Sequence, residues 1–357
     1  MTCRERFRKT MHFEQPDRVP YWEVIGYWVE TIERWQTEGM PNDVHTMAFF
    51  GMDRRDMVPI NAGLVPVFKE QILESDETTE LVRDGSGALL RRLRKGSSIP
   101  QFKEYPVKDR KSFAGIKKRL RCDSPCRYPA YWEDYKRIVK DRDYPLGIHA
   151  GSLFGMPRNM MGLENIAVAL YDDAAFIEEM IEFFTEFYLN LIRRAVEEIP
   201  DIDYALFWED MAYRAGSMIS PAHFKKLLVP RYKRITDLLR SHGIDVILVD
   251  CDGNHDELTP LWLEGGLSGV YPLEVQAGED PVRLRNEYGK DLLLIGGIDK
   301  MVLDKDKKEI DRELERKVPL LIESGGWIPS IDHCVPANVP YKNYTYYLER
   351  LRTIVEG

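Results

Sequence analysis

Asp245-Val246-Ile247-Leu248-Val249-Asp250-Cys251-Asp252 is an apolar run that ends on carboxylates, and three runs of the same form follow it. They are Val270-Tyr271-Pro272-Leu273-Glu274, Leu292-Leu293-Leu294-Ile295-Gly296-Gly297-Ile298-Asp299 and Trp327-Ile328-Pro329-Ser330-Ile331-Asp332-His333. A strand covered on both faces is apolar throughout, so each run reads as a buried parallel strand. Each closes on a group able to bind a proton or a metal. The C-terminal ends of such strands are where α/β proteins place their chemistry, so the four tips predict one shared site.

Working outward, residues 18–26, 56–61, 144–149 and 204–209 read as further strands, beside 245–250, 269–274, 292–298 and 327–331. The helices between them carry stronger signals. Residues 172–199 place Phe176, Met180, Ile181, Phe184, Tyr188, Leu191, Ile192 and Ala195 at helical spacing. Ser220-Pro221 is an N-cap followed by proline at the first helical position, opening a helix to about Ser241 that Gly243 stops. Asp280-Pro281 opens another, and 305–324 and 338–355 complete the set. Alternating strands and helices over 1–357 predict a single-domain (β/α)8 TIM barrel. An open doubly wound sheet is the runner-up, but no G-x-G-x-x-G follows an early strand. Residues 79–95 read as a β-hairpin insertion turning at Asp84-Gly85, lying over one end of the barrel.

The 357 residues are 44% hydrophobic and 31% charged, ordinary for a globular enzyme, and no apolar stretch suits a membrane span. The opening Met1-Thr2-Cys3-Arg4-Glu5-Arg6-Phe7 does not read as a signal peptide. A net charge of −9 argues against nonspecific nucleic-acid binding. The sparse, odd set Cys3, Cys122, Cys126, Cys251 and Cys334 suggests reduced thiols and a cytoplasmic setting. Cys122 and Cys126 read as loop thiols, since no second pair accompanies them to make a zinc knuckle.

The strand ends supply Glu23, Asn61, His149, Glu209 with Asp210, Asp250 with Asp252, Glu274, Asp299 and His333. So many charges would not sit unpaired in a core, which predicts a solvated polar cavity. Asp210 and Asp299 read more naturally as helix N-caps. In an extended strand Asp250 and Asp252 point the same way, with Cys251 opposite. Two such carboxylates repel unless a cation or a shared proton lies between them. Asp332 beside His333 can fix the imidazole tautomer, although sequence neighbours often point apart, and His255 reads as a surface residue in a first helical turn. Trp22, Tyr27, Trp28, Trp208, Tyr213 and Tyr271 gather near the cavity, as core or as a pocket for a flat or apolar group.

Several motifs then come together in order: Phe13-Glu14-Gln15-Pro16-Asp17-Arg18-Val19-Pro20, Trp208-Glu209-Asp210, Met218-Ile219-Ser220-Pro221, Val229-Pro230, Gly325-Gly326-Trp327 and His333-Cys334-Val335-Pro336-Ala337-Asn338-Val339-Pro340. Their order and spacing resemble the uroporphyrinogen decarboxylase superfamily, which includes the corrinoid-dependent methyltransferases. True decarboxylases of this kind carry an arginine-rich segment after the first strand that clamps substrate carboxylates. Here that place reads Trp22-Glu23-Val24-Ile25-Gly26-Tyr27-Trp28, with an acid where a base is needed. The resemblance is therefore closer to the methyltransferase branch.

That branch binds zinc through an H-x-C-G motif and a later cysteine. On the shared glycine and asparagine, Asp250 and Asp252 fall on the first two ligand places and His333 on the last. A slipped alignment puts Cys251 and Cys334 there instead. The resemblance thus implies a divalent metal, zinc or a harder ion, held by Asp250, Asp252 and His333 as a Lewis acid. Glu209 and Glu274 are then candidate proton carriers or further ligands. His149 is expected to act on or position the substrate, in a pocket with Glu23, Tyr27, Trp208 and Tyr271. The implied reaction moves a methyl group between a small methylated substrate and a corrinoid protein as partner. A tetrapyrrole decarboxylase is one alternative, and a non-catalytic barrel that binds a ligand or corrinoid partner is another. Face-to-face pairing of two barrels, a homodimer, is a habit of the superfamily that one sequence does not test.

Overall fold

A computed structural model describes residues 1–95 and 99–357. Seven strands form one parallel sheet: Asp56–Met57, Leu146–Gly151, Tyr204–Trp208, Ile247–Asp250, Gly269–Tyr271, Leu293–Ile295 and Trp327–Ile328. Their order across the sheet is their order in the chain, with a crossover helix after most strands, as a TIM-like barrel requires. Ala174–Glu198, Lys307–Ser324 and Tyr341–Glu356 match the helices read from periodicity to within a few residues. The expected helix from Ser220 is two helices, Pro221–Leu227 and Val229–Ser241. Pro230 has no N–H to continue the first and sits comfortably in the opening turn of the second.

The eighth stave, expected at 18–26, carries no regular strand. Side chains and isolated backbone bonds replace its ladder. Asp53 N–H donates to the Tyr21 carbonyl (2.8 Å). On the other side Val24 N–H donates to Ser330 Oγ (3.0 Å), and the Glu23 carboxylate accepts from Ser330 Oγ (2.7 Å) and Ile331 N–H (3.0 Å). Arg55 donates to the Val24 carbonyl (2.8 Å) across the remaining gap. Pro20, which lacks an N–H, is one reason a continuous ladder does not form there.

Two apolar layers surround the sheet. Between sheet and helices lie Ile181, Phe184, Ile192, Tyr232, Leu314 and Tyr344 among others. Inside the barrel, Tyr204, Val246, Leu248, Leu293, Ile295 and Ile328 pack with Trp22, and Phe7 and Met11 of helix Cys3–Met11 plug the base. That helix is held by Arg4 and Arg8 on the buried Asp203 (2.8 and 2.6 Å), which Arg142 also reaches (3.1 Å).

The expected hairpin is present as Thr79–Arg83 paired with Leu89–Leu93. Its connection runs through Asp84, whose carboxylate accepts from Ser86 and Ala88 N–H (3.0 Å each). Gln71–Ser75 and Gln101–Glu104 flank it to make a four-stranded antiparallel sheet. Gln71–Ser75 is exposed along its whole length, so it has no buried face to give an alternating apolar signal. Among the described residues no helix is long and apolar enough to cross a membrane.

Candidate functional site

Asp250 closes its strand level with Trp208 and Tyr271 on the two neighbouring strands. Burial, then the charges of Asp252 and Asp210, push its carboxyl up to about 8. It is therefore a neutral acid near pH 7. Asp252 instead keeps a cation: His333 Nε2 lies 3.4 Å from Asp252 Oδ2. The hydrogen bond to Asp252, with help from the adjacent Cys334, raises the imidazole to about 10. Both resolutions of a carboxylate pair are thus in use, a proton on one and a cation beside the other. Trp28 lies roughly parallel to the His333 ring, centroids 6.4 Å apart. Gly253 makes the turn with φ +84°, and a Cβ there would meet Tyr213 N at 2.6 Å. The Asp252→Asn variant is expected to lower the His333 pKa toward 6.5, read by imidazole NMR titration. A pKa that stays near 10 would show that Asp252 does not hold the charge.

A lysine that the apolar-run pattern missed completes the cluster. Lys300 Nζ stands 3.5 Å from Glu274 Oε1 and 3.2 Å from Asp332 Oδ2. Glu274 also accepts from Gly253 N–H (3.1 Å), which ties it to the Asp252 turn. Asp332 does not orient His333 as expected. It is buried and accepts from the backbone N–H groups of Val275 and Lys300 (2.9 Å each). The tip of the strand before it is capped as expected, Asp299 accepting from Met301 N–H (2.8 Å). Asp210 is no cap. It sits at φ +41° and pairs with Arg158 (2.8 Å), a third cation at this end of the barrel beside His333 and Lys300.

The remaining expected residues separate by where they point. Glu209 is wholly buried, and its oxygens accept from Leu153 (2.7 Å), Phe154 and Gly155 N–H (2.9 Å each) and from Tyr232 OH (2.6 Å). It locks the loop that opens helix Gly155–Met161 and has no free face toward a substrate. Glu23 is also sealed, between Ser330, Ile331 and Tyr344 OH (3.0 Å), where burial raises it to about 7. Tyr27 joins that group, its OH 2.8 Å from Tyr344 OH and its ring against Trp35 and Phe50. Asn61 closes a local turn onto Gly63 N–H (2.9 Å). His255, expected on the surface, is wholly buried, with Nδ1 3.0 Å from Thr259 Oγ1.

His149 faces the lumen. Ile148 and Ala150 on either side pack into the helix layer, and the ring of His149 is exposed. Gly151 N–H donates to Nδ1 (2.9 Å), which places the ring hydrogen on Nε2. Surrounding protein pushes the imidazole down to about 4. A group on the wall of a narrow cleft can be wetted by a few waters and still be poorly solvated as an ion. His149 is thus a neutral donor, not a proton carrier, at physiological pH. Val24, Met57, Leu206 and Trp208 are half-buried around it, while Leu248, Ile295 and Ile328 opposite are fully buried. The open part of the lumen therefore lies on the side of the irregular seam.

Asp250, Asp252 and His333 are brought together, but not as a metal set. Among the described residues no group of three or more His, Cys, Asp or Glu side chains is arranged to hold a metal ion. Cys251 is buried on the opposite face, receiving Met211 N–H (3.3 Å), and Cys334 Sγ points to the Ile25 carbonyl (3.8 Å). The donors as arranged do not fit a three-ligand centre.

Comparison with known proteins gives the same fold. The family described as uroporphyrinogen decarboxylase (URO-D) matches residues 85–354. No curated protein matches the chain in sequence. Among solved structures, a methyltransferase from Methanosarcina mazei is similar over 99% of both chains, at 14% identity and a TM-score of 0.64. A sugar phosphate isomerase/epimerase from Parabacteroides distasonis is similar over 62% of this chain and 82% of its own, at 11% identity and a TM-score of 0.34.

Proposed function

The chain belongs to the uroporphyrinogen decarboxylase family, and on that premise we propose that it is a methyl-transferring enzyme that demethylates a small substrate in its barrel mouth. The observation that carries this reading is the position of Asp250, level with Trp208 and Tyr271 on the flanking strands and close to the Asp252–His333 pair, where burial and neighbouring acids raise its carboxyl to about 8. Methyl loss from an ether or similar group leaves an electron pair on oxygen, and that oxygen needs a proton. Asp250 holds one at pH 7. The step is balanced: the substrate O–CH3 bond breaks, the methyl group leaves to an external nucleophile, and the Asp250 proton goes to the oxygen. His333, charged and close by, then stabilises the Asp250 carboxylate that remains. His149 Nε2–H donates a hydrogen bond from the side wall and orients the substrate.

A corrinoid carried by a partner protein supplies the nucleophile in this reading. No step is assigned to a metal, since the donors present do not converge on one. Elemental analysis of wild type and of an Asp250→Ala/His333→Ala double variant reads this directly. Metal that is stoichiometric in the first and lost in the second would restore the metal-bound site.

The family's name denotes a reaction on a tetrapyrrole with many carboxylates. Arg158, His333 and Lys300 at this mouth are already paired with Asp210, Asp252 and Glu274, so none of these cations is left free to clamp such a substrate. The test is methyl transfer from aryl methyl ethers to cob(I)alamin, followed by loss of cob(I)alamin absorbance. Wild type is expected to turn over and Asp250→Asn to lose at least about a hundredfold in rate. An Asp250→Asn enzyme as fast as wild type overturns the role of Asp250. Release of CO2 from uroporphyrinogen by the pure protein would replace the whole reading.

A further inference from the structure

Strand Leu146–Gly151 is irregular at its tip. His149 pairs with Leu206 on the next strand and Gly151 with Phe207, so Ala150 is an extra residue, a bulge. Bulges beside active sites re-aim side chains. Here the Gly151 N–H turns back onto His149 Nδ1 (2.9 Å). Glycine is required at 151: it sits at φ +125°, and a Cβ there would meet the Tyr188 ring at 2.6 Å. That ring lies parallel to the His149 imidazole, centroids 6.0 Å apart. Bulge, glycine and tyrosine thus fix one ring orientation and one tautomer. Nε2–H is left as the donor of the ring, and among the described residues it has no hydrogen-bond partner.

One strand separates His149 from Asp250. Tyr204–Trp208 lies between theirs, with Leu206 level with His149 and Trp208 level with Asp250. His149 shares the inner face with its partner Leu206, and Asp250 shares it with Leu248, two residues below. Two strands across and two residues up, their Cα atoms are roughly 12 Å apart along the sheet. Both side chains turn inward from there, so the span between their tips suits one substituted benzene ring. Leu206, Trp208 and Asp250 are half-buried and His149 is exposed, so solvent-sized molecules reach this strip.

The far end of the strip offers a hydrogen bond but no charge. Arg158, His333 and Lys300 are each held by an acid at the mouth, and Arg55 is turned onto the Glu23 and Val24 carbonyls. His149 Nδ1 is occupied, so the ring cannot accept from an ammonium group. The ring is held neutral, so it gives a carboxylate no opposite charge. An ion placed beside Leu206 would lose water without compensation, whereas a neutral acceptor oxygen exchanges one hydrogen bond for another.

We propose that His149 is the specificity-determining residue of this barrel: its Nε2–H binds an uncharged acceptor oxygen across the ring from the methyl ether, so that the substrate is a neutral methoxyarene carrying a ketone, ester or second ether at its far end. The ring lies on Leu206 and Trp208, and its methoxy oxygen meets Asp250. Which end faces Asp250 rests on the methyl-transfer reading, but the preference for a neutral acceptor rests on His149 and is tested without it.

Calorimetry on the whole protein at pH 7 and constant ionic strength compares probes of one shape: para-methoxyacetophenone, para-ethylanisole, para-methoxybenzoate and protonated para-methoxybenzylamine. The ketone is expected to bind about five- to tenfold tighter than the ethyl compound, which fills the same space without an acceptor, and tighter still than either ion. His149→Phe keeps an aromatic ring against Tyr188 and removes the donor, so it should bring the ketone and the ethyl compound to equal affinity. His149→Gln, which retains an N–H donor, should restore part of the preference. Equal binding of ketone and ethyl compound by wild type, tightest binding of either ion, no binding of any probe, or a ketone preference that survives His149→Phe overturns the role of His149. Failure of methyl transfer to cob(I)alamin with the ketone preference intact would overturn the reaction and not that role.

Discussion

Glu209→Ala is expected to destabilise the protein by about 4 kcal/mol, among the largest single-residue losses in the barrel. The carboxylate sits at the end of strand Tyr204–Trp208 with no exposure, and it accepts from three successive backbone N–H groups and a tyrosine hydroxyl. Alanine leaves the N–H groups of Leu153, Phe154 and Gly155 and the Tyr232 OH buried without acceptors. Each such orphan costs about 1–3 kcal/mol, offset in part where the loop admits water. Glu209→Gln separates shape from charge. Its amide oxygen serves one pair of donors, but its NH2 then faces the other N–H groups, so it should recover only about half the loss. Urea denaturation at pH 7 makes the measurement. An alanine variant within about 1 kcal/mol of wild type would mean that the loop does not depend on Glu209, and its proposed role would return to the cavity.

Glu209 also illustrates what a strand-end rule conveys and what it omits. The rule finds residues at the right end of the barrel, and Asp250, Asp252, Glu274 and His333 do meet there. It does not say which way a side chain points after the last laddered residue. Glu209 and Glu23 turn outward to backbone donors, and Asp332 serves Val275 and Lys300 instead of its neighbour His333. Those bonds depend on loop positions that no periodicity encodes. Lys300 was invisible because it sits in a short 3-10 turn after Asp299, where no face is defined. Arg55 was invisible for another reason. It precedes a strand of only two laddered residues, Asp56–Met57, too short for an alternating pattern to show.

The fold was legible because buried parallel strands and capped helices carry redundant signals. Ser220, Asp280 and Asp299 all cap as their residue types suggest. The eighth stave failed the same test for a physical reason. Many of its connections run through the side chains of Glu23, Ser330 and Arg55, with only isolated backbone bonds, so it needs no regular ladder. That irregularity has a consequence for the site. The seam is where the lumen stays open, so the least regular part of the barrel lies beside His149.

Asp250→Asn is expected to stabilise the folded protein above pH 7 while removing its activity. The carboxyl is raised to about 8 by burial and by Asp252 and Asp210, whereas in the unfolded chain it ionises near pH 4. Between those values the native state binds one more proton than the unfolded state, so stability falls as pH rises from about 4 to about 8. Four pH units correspond to about 5 kcal/mol at most, and coupling to His333 reduces this to about half. Asparagine cannot ionise, so the variant should lack this fall: similar to wild type near pH 4, more stable by roughly 2–5 kcal/mol at pH 8.5. His333 works in the opposite sense. Its raised pKa contributes stability that is complete below about pH 6.5 and lost as pH rises through about 10, and it does so in both proteins. Subtracting the two pH–stability curves therefore isolates Asp250 together with its coupling to His333. A difference curve that is flat from pH 4 to 9 would mean the group ionises normally, and then it could not hold the proton that the leaving oxygen needs at pH 7. A rising difference curve together with lost methyl transfer is the signature of an acid kept neutral at a cost in stability, as a group retained for chemistry should be.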